Sequence, residues 1–557
     1  MFAHRPTNRL PHRGLVALAM LVLAACNPSA STSPAASGPG ASGGTPQAPT
    51  GTLSLAFLSD VQTLDPAQGY DVVSWPAERL IFETLLGYDA EANIVPVLAT
   101  SLPEISDDGL TFTFTLRQGV NFVQSDGTIV KEMTADDVVA SLNRLLNPNL
   151  QPNASPVAAT FFALIEGADA VAAGDATEAS GVEKIDDQTV SITITEPNQT
   201  FLNILSMPFG SILPAGSPTN AEEVTANPIG TGPFLLESRE SGQQLTFVTN
   251  PHYWDPARQL VAQIDFRVGV DPTSALQQAE TGDLDIMADN PPAGQISALL
   301  ADDTLTDRVF RSSLVATQFM AMDVSGDTPL NNLLVRQAIA SAIDKENITA
   351  IAHLGQPAPC ILPPPMPGYD PNCDPYPYDP DHARDLLAEA GFADGFDITL
   401  YTTTNDPDPA IGAAIQQDLD AIGITVEVIP QAFDVLLGTI VIPHEAGMVY
   451  IGWFQDFPDP ADFYDPILSC ATNVEGNFNL AWYCNEDVDA LAADARSEPD
   501  STARIEMYRQ LFNDVMEDAP WVPIYYPEQL TVVSERVTNF FHHPAWIFDF
   551  GSYDIEE

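Results

Sequence analysis

One local pattern narrows the fold class of this sequence more than any other. Residues 398–402 read as a strand, 410–422 as a helix and 424–429 as a second strand. Two strands joined through a helix in this way are parallel, with a right-handed crossover. Helices over 333–351 and 382–390 precede this unit. A buried-type strand at 447–453, helical stretches at 488–495 and 501–518 and an apolar strand at 521–526 follow it, so the second half reads as alternating α/β. The first half carries strands at 52–57, 110–117, 189–195 and 244–249 and a helix over 76–86. Thr134 is placed to cap a helix over 135–146, with Asp136 and Asp137 favourable in its first turn. At 557 residues the chain exceeds one small core, and two or three structural units are expected. No internal repeat is visible.

The N-terminus is of a different kind. Arg5, Arg9 and Arg13 precede an apolar run over 15–25 that is too short to span a bilayer. The run ends in Leu23-Ala24-Ala25-Cys26, which resembles the lipobox of bacterial lipoproteins. That resemblance implies a signal peptide over 1–26, with Cys26 lipidated as the first mature residue. It places the protein in the cell envelope, outside the cytoplasm and held to the membrane by lipid. Residues 27–51 are rich in Ser, Pro, Gly, Ala and Thr and carry no charge, as a flexible tether would. Gly40-Ala41-Ser42-Gly43-Gly44 matches a hydrolase nucleophile elbow in letters only, since a tether supplies neither the strand nor the helix that an elbow needs.

Charge excludes further classes. The formal net charge is −56, and Lys131, Lys184 and Lys345 are the only lysines. Such a field repels nucleic acid and anionic lipid headgroups, so nucleic acid is not an expected partner. Beyond Cys26, the remaining cysteines are Cys360, Cys373, Cys470 and Cys484. In an oxidising compartment they allow three pairings. The local one, Cys360–Cys373 with Cys470–Cys484, closes two short loops, each worth about 3 kcal/mol by chain entropy. A zinc site is disfavoured because no close CxxC pair exists and no histidine lies near either pair.

Several segments, in order, resemble the oligopeptide/dipeptide-binding family of ABC-transporter substrate-binding lipoproteins. They are Thr63-Leu64-Asp65-Pro66, Phe82-Glu83-Thr84-Leu85-Leu86, Ile94-Val95-Pro96-Val97-Leu98-Ala99 and the stretch 108–117. Thr134-Ala135-Asp136-Asp137-Val138 and Asn227-Pro228-Ile229-Gly230-Thr231-Gly232-Pro233-Phe234 are the most specific. Asn250-Pro251-His252-Tyr253-Trp254, Val335-Arg336-Gln337-Ala338-Ile339 and Gly452-Trp453 with Asp459-Pro460 complete the series. The resemblance implies an α/β, bilobed type II periplasmic-binding-protein-like fold with an extra inserted domain. Lobe I would comprise 52–94, 226–322 and 524–557; the extra domain 95–225; lobe II 323–523. Asn227–Phe234 reads as scaffold, its glycines serving turns and its prolines rigidity.

Ligands of open α/β sheets bind beyond the carboxyl ends of the strands, which puts Asp456 at the mouth of the second lobe. Flanked by Trp453, Phe454 and Phe457, its carboxylate can pair with a ligand ammonium. The resemblance assigns Asp456 that role toward a peptide α-amino group, and Trp453 is expected as an aromatic wall. The resemblance further implies that Asp71, Val72 and Val73, in the loop after the first strand, meet ligand backbone, and that Thr317, Gln318 and Phe319 lie on another contact strand. In dipeptide binders an arginine follows the strand matching 398–402 and holds the ligand carboxylate. Here no Arg or Lys lies between Arg384 and Arg496, which opens the site to longer peptides, polyamine-like cations or sugars. Asp459, Asp462 and Asp465 lack the EF-hand pattern, so no metal is expected there. His542-His543 would point to opposite faces of a strand, and no catalytic set accompanies them.

The expectation is therefore a monomeric, non-enzymatic, cofactor-free receptor. It would capture a peptide or related amine-bearing solute by hinge closure and deliver it to ABC permease transmembrane subunits. The alternatives are a lipid-anchored secreted hydrolase and an oligosaccharide binder.

Overall fold

The first alternating stretch forms the strand Thr50–Ala56, which starts inside the expected tether and buries Leu53 and Leu55 completely. The protein is seen in a computed structural model that describes residues 49–436, 438 and 447–556. The expected signal peptide, Cys26 and the tether up to residue 48 lie outside the described residues.

Thr50–Ala56 pairs in parallel with Val261–Arg267 and with Ile286–Met287. They are central to a seven-stranded sheet. Its order is Phe234–Glu240, Gln244–Thr249, Val261–Arg267, Thr50–Ala56, Ile286–Met287, Glu528–Val533 and Val309–Ser313. A second, six-stranded sheet runs Gln356–Pro357, Trp521–Tyr526, Ala316–Met322, Met448–Phe454, Phe396–Thr403 and Ile424–Gln431. In it the expected parallel pair is present, with Phe396–Thr403 beside Ile424–Gln431. The connecting helix Asp408–Asp420 buries Ile411, Ile415 and Leu419, one apolar face at helical spacing.

The chain crosses between the sheets at two neighbouring places. Val309–Ser313 passes through Leu314 and Val315 into Ala316–Met322, and Trp521–Tyr526 passes through Pro527 into Glu528–Val533. Leu314 N donates to Pro527 O at 3.0 Å, so the two crossings lie side by side. Sheet membership thus changes near 314 and 527, not at the expected 322 and 523. The run Ala316–Met322 belongs with the second sheet because both of its edges pair there.

Two predicted helices are shorter than their apolar periodicity suggests. The one expected over 76–86 is Ser74–Ile81, since Phe82 turns extended and Leu86–Tyr88 pairs with Ile94–Pro96. The one expected over 333–351 is broken into Leu333–Ala342 and Lys345–Ala352. Ile343 is extended there, and the Asp344 carboxylate accepts from Asn347 N to start a new helix. A short acidic side chain satisfies the orphan N–H groups of a new terminus better than it serves a helix interior.

Between residues 95 and 225, Glu104–Ile105, Thr111–Thr115, Thr189–Thr193 and Val182–Asp186 form an antiparallel sheet. The helix Ala135–Leu145 starts at Thr134 as expected, and the structure adds a reciprocal capping box of Thr134 with Asp137. The core here contains Phe114, Phe122, Phe162 and Phe201, and Phe457 from beyond the second sheet joins it. Gly230 and Gly232 are not positive-φ residues. A Cβ on either would sit within 2.0 Å or 2.6 Å of Ile81 O, so close approach, not turn geometry, is why both are glycine. Both local disulfides, Cys360–Cys373 and Cys470–Cys484, are formed, with Cα separations of 6.1 Å and 4.5 Å.

Candidate ligand site between the two sheets

The strand Met448–Phe454 ends at the site. Its Trp453 lies opposite Thr317, and Gln455 N then donates to Val315 O at 2.9 Å, tying the strand end to the crossing between sheets. Asp456 follows and is buried. Its N–H donates to Asp462 Oδ2 at 2.9 Å, and Trp453 Nε1 reaches the same oxygen at 3.3 Å. Asp462 stands on the 3₁₀ turn Pro460–Phe463, which Asp459 caps by accepting from Ala461 N.

The far wall comes from the loop after the first strand. Tyr70 Oη donates to Asp456 Oδ2 at 2.8 Å, closing the gap between residues that belong to the two different sheets' ends. Tyr70 packs on Trp75 and Phe478, with ring centroids 5.9 Å and 6.2 Å away, and Phe478 also lies 6.0 Å from Trp453. Phe478 is delivered by the loop that Cys470–Cys484 closes. Gln455 Nε2 to Pro544 O at 2.6 Å and Gln199 N to Arg496 O at 2.9 Å are further bridges of this kind. The cleft is closed.

Burial dominates the electrostatics. It pushes the Asp456 carboxyl up to about 7, against the hydrogen bonds from Tyr70 and Asp462. Burial first, then the neighbouring Asp456 carboxylate, hold Asp462 well above the usual range. The nearby arginines are engaged elsewhere. Arg504 grips Asp459 in two hydrogen bonds of 2.8 Å and 2.7 Å, and Arg496 Nη1 binds Asp465 at 2.8 Å. Among the described residues no cation pairs with Asp456 or Asp462. Of Asp459, Asp462 and Asp465, the first and last are thus held by arginine.

A cavity of about 260 Å³ lies at the crossing between sheets; Gln455, next to Asp456 in the chain, lines it, and Asp456 itself does not. Val72, Trp75, Leu314, Phe454, Gln455 and His542 are among its walls. The volume falls just below the range of ligand pockets, about 300 to 1,000 Å³. Arg79 also lines it, but Nη2 already binds Asp549 at 3.0 Å and the guanidinium lies 4.4 Å over the Trp546 ring.

Of the expected contact residues, Asp456 and Trp453 meet, and Val72 lines the adjoining cavity. The others face elsewhere. Asp71 Oδ1 accepts from Val73 N and Ser74 N and shapes its own loop, while the Val73 side chain is in the core. Thr317 donates to Ile361 O at 2.7 Å, and Phe319 stacks on Trp521, so both point into the second sheet's core. Gln318 lies against Gly452. His542 and His543 are in no strand, and both line the cavity instead of pointing apart. Each is held neutral by burial, pushed down to about 4. Sequence reasoning missed Tyr70, Trp75 and Phe478. An aromatic inside the loop 69–74 was the available signal for the first.

Two sheets joined by a double crossing, with a closed cleft between them and a buried acid at its mouth, define a two-lobed solute-binding protein. The chain belongs to the bacterial extracellular solute-binding proteins, family 5, whose profile ("Bacterial extracellular solute-binding proteins, family 5 Middle") matches residues 93–475. It is 31% identical over 533 residues to di/tripeptide-binding protein 2 of Pseudomonas aeruginosa, covering 92% of this chain and 96% of the relative. It is 29% identical to heme-binding protein A of Haemophilus influenzae, over 95% of this chain and 96% of the relative. Among solved structures, the ABC transporter-associated periplasmic binding protein DppA from Helicobacter pylori, in complex with the peptide STSA, superposes with a TM-score of 0.80. The identity is 26%, over 91% of this chain and 99% of that one.

Proposed function

We propose that this protein is the lipid-anchored receptor of an ABC importer, acting as a monomer that captures a short peptide or related amine-bearing solute and passes it to the permease. The observation that carries this reading is Asp456, a buried carboxylate at the closed cleft with no cation paired to it among the described residues. A ligand ammonium supplies that missing charge. The relatives named above, binders of peptides and of haem, support capture over turnover. With Arg496 and Arg504 consumed by Asp465 and Asp459, the second lobe offers the ligand carboxylate no arginine. Recognition then centres on the amino end, and the free C-terminus is a weak determinant.

Capture works by closure. The solute binds the closed form more tightly, and the population shifts toward it. Native mass spectrometry of the purified protein identifies the co-purified solute, and calorimetry compares its affinity for wild type and Asp456→Asn. Loss of a charge partner in a buried pair costs about 2–5 kcal/mol. An unchanged affinity, or a solute without an amine, refutes the reading. Detection of a cleaved product would favour a hydrolase.

A further inference from the structure

Asp462 is the unexplained acid of the site. Its side chain is fully buried, and Oδ2 accepts from both Asp456 N and Trp453 Nε1. Oδ1 is buried too, and no donor reaches it. A carboxylate oxygen left so is costly, because it has given up water for nothing. The 2.9 Å bond from Asp456 N to Oδ2 holds the two acids side by side in a buried site. Like charges held so close in the interior are relieved when one of the two carboxyls carries a proton.

We propose that Asp462 is kept as the neutral acid at neutral pH, its Oδ1–H donating to the Asp456 carboxylate, so that the cleft presents one negative charge to one ammonium. Asp462 is then a positioning residue that fixes the charge and aim of Asp456. The inference rests on the reading of Asp456 as the amine acceptor. Below neutrality Asp456 takes up a proton as well. An entering ammonium must then displace that proton to solvent, while Asp462 keeps its own.

The surroundings agree on every side. Tyr70 faces the pair from the first loop with its hydroxyl as a donor. Tyr88, on the strand Leu86–Tyr88, is kept un-ionised by burial first and then by the neighbouring acids Asp459 and Asp462. Asp459 is neutralised by Arg504 on the helix Ser501–Asp518. Asp465 is matched by Arg496 on the helix Glu486–Ser497. Among the described residues nothing positive is left to ionise Asp462. Burial and the Asp456 charge both hold its proton on.

The test uses the full-length protein with trialanine as the probe, titrated calorimetrically from pH 5 to pH 9. Wild-type affinity should peak between about pH 7 and pH 8, fall about tenfold per pH unit below that as Asp456 is protonated, and fall again above about pH 8 as the trialanine ammonium loses its proton. Asp462→Ala, which removes the donor, should weaken binding about tenfold or more. Asp462→Asn should rescue it to within about threefold of wild type, since an amide N–H₂ replaces Oδ1–H without adding charge. An ionised Asp462 predicts the opposite for the variants: Asn and Ala lose affinity alike, since neither restores a carboxylate. In parallel, the infrared carbonyl band of a protonated carboxyl is compared between unliganded wild type and Asp462→Asn at pH 8. A band present in wild type and missing in the variant supports the proposal; identical spectra overturn it. If trialanine does not bind wild type at any pH, the peptide reading fails, and the infrared comparison still decides the proton on Asp462. If Asp462→Asn does not fold, the infrared comparison of wild type with Asp462→Ala decides.

Discussion

Replacing Arg504 with methionine leaves the Asp459 carboxylate buried without its partner. Both side chains are nearly inaccessible, 8% and 11% exposed, and the guanidinium meets the carboxylate through two nitrogens and two oxygens. Salt screening and rotamer entropy, which reduce surface pairs to under about 1 kcal/mol, count for little here. Breaking a buried pair from one side costs about 3–5 kcal/mol, because an uncompensated charge stays in the interior. By contrast Arg536, 41% exposed and 3.3 Å from Asp285, should matter far less. The assay is a double-mutant cycle of Arg504→Met and Asp459→Asn in urea, followed by fluorescence of the unfolding step that includes Trp453. The double variant should recover much of the loss, since the orphan charge is gone. Asp459 also caps the turn that carries Asp462, so amine binding should weaken in Arg504→Met more than in the double variant. A single-variant loss below about 1 kcal/mol, or strict additivity in the cycle, refutes this reasoning.

Further expectations follow from burial and close contact. His543 accepts from Ala545 N and Trp546 N and is pushed down to about 4, mainly by burial. The unfolded chain therefore binds more protons, and stability is lost as pH falls from about 6.5 to about 4, by roughly 2–3 kcal/mol; His543→Asn should flatten that slope in thermal melts. Opening the Cys470–Cys484 loop with a double serine variant should cost about 3 kcal/mol and loosen Phe478, read as lower stability and weaker ligand binding. Gly232→Ala should fail to fold or lose more than about 3 kcal/mol, because its methyl group meets the Ile81 backbone; soluble expression with an unchanged melting temperature would contradict this.

What the sequence determined by itself is local or pairwise in pattern. Period and capping sufficed for Thr50–Ala56, for the helix Ala135–Leu145 with its Thr134 cap, and for the parallel pair around Asp408–Asp420. Cysteine spacing and the ordered motifs pointed to the disulfides and the family. A strand ending at Phe454 was enough to put Asp456 at a sheet's mouth. The rest depended on contacts between residues far apart in the chain. That Ala316–Met322 lies in the second sheet follows from partners more than a hundred residues downstream. That Tyr70 meets Asp456 depends on closure of the cleft, and that Phe319 faces the core depends on Trp521. The glycines of residues 227–234 could be seen, but the Ile81 carbonyl that demands them could not. Periodicity tells which face of an element is apolar, and only the assembled structure tells what that face meets and which buried acid is left without a charge.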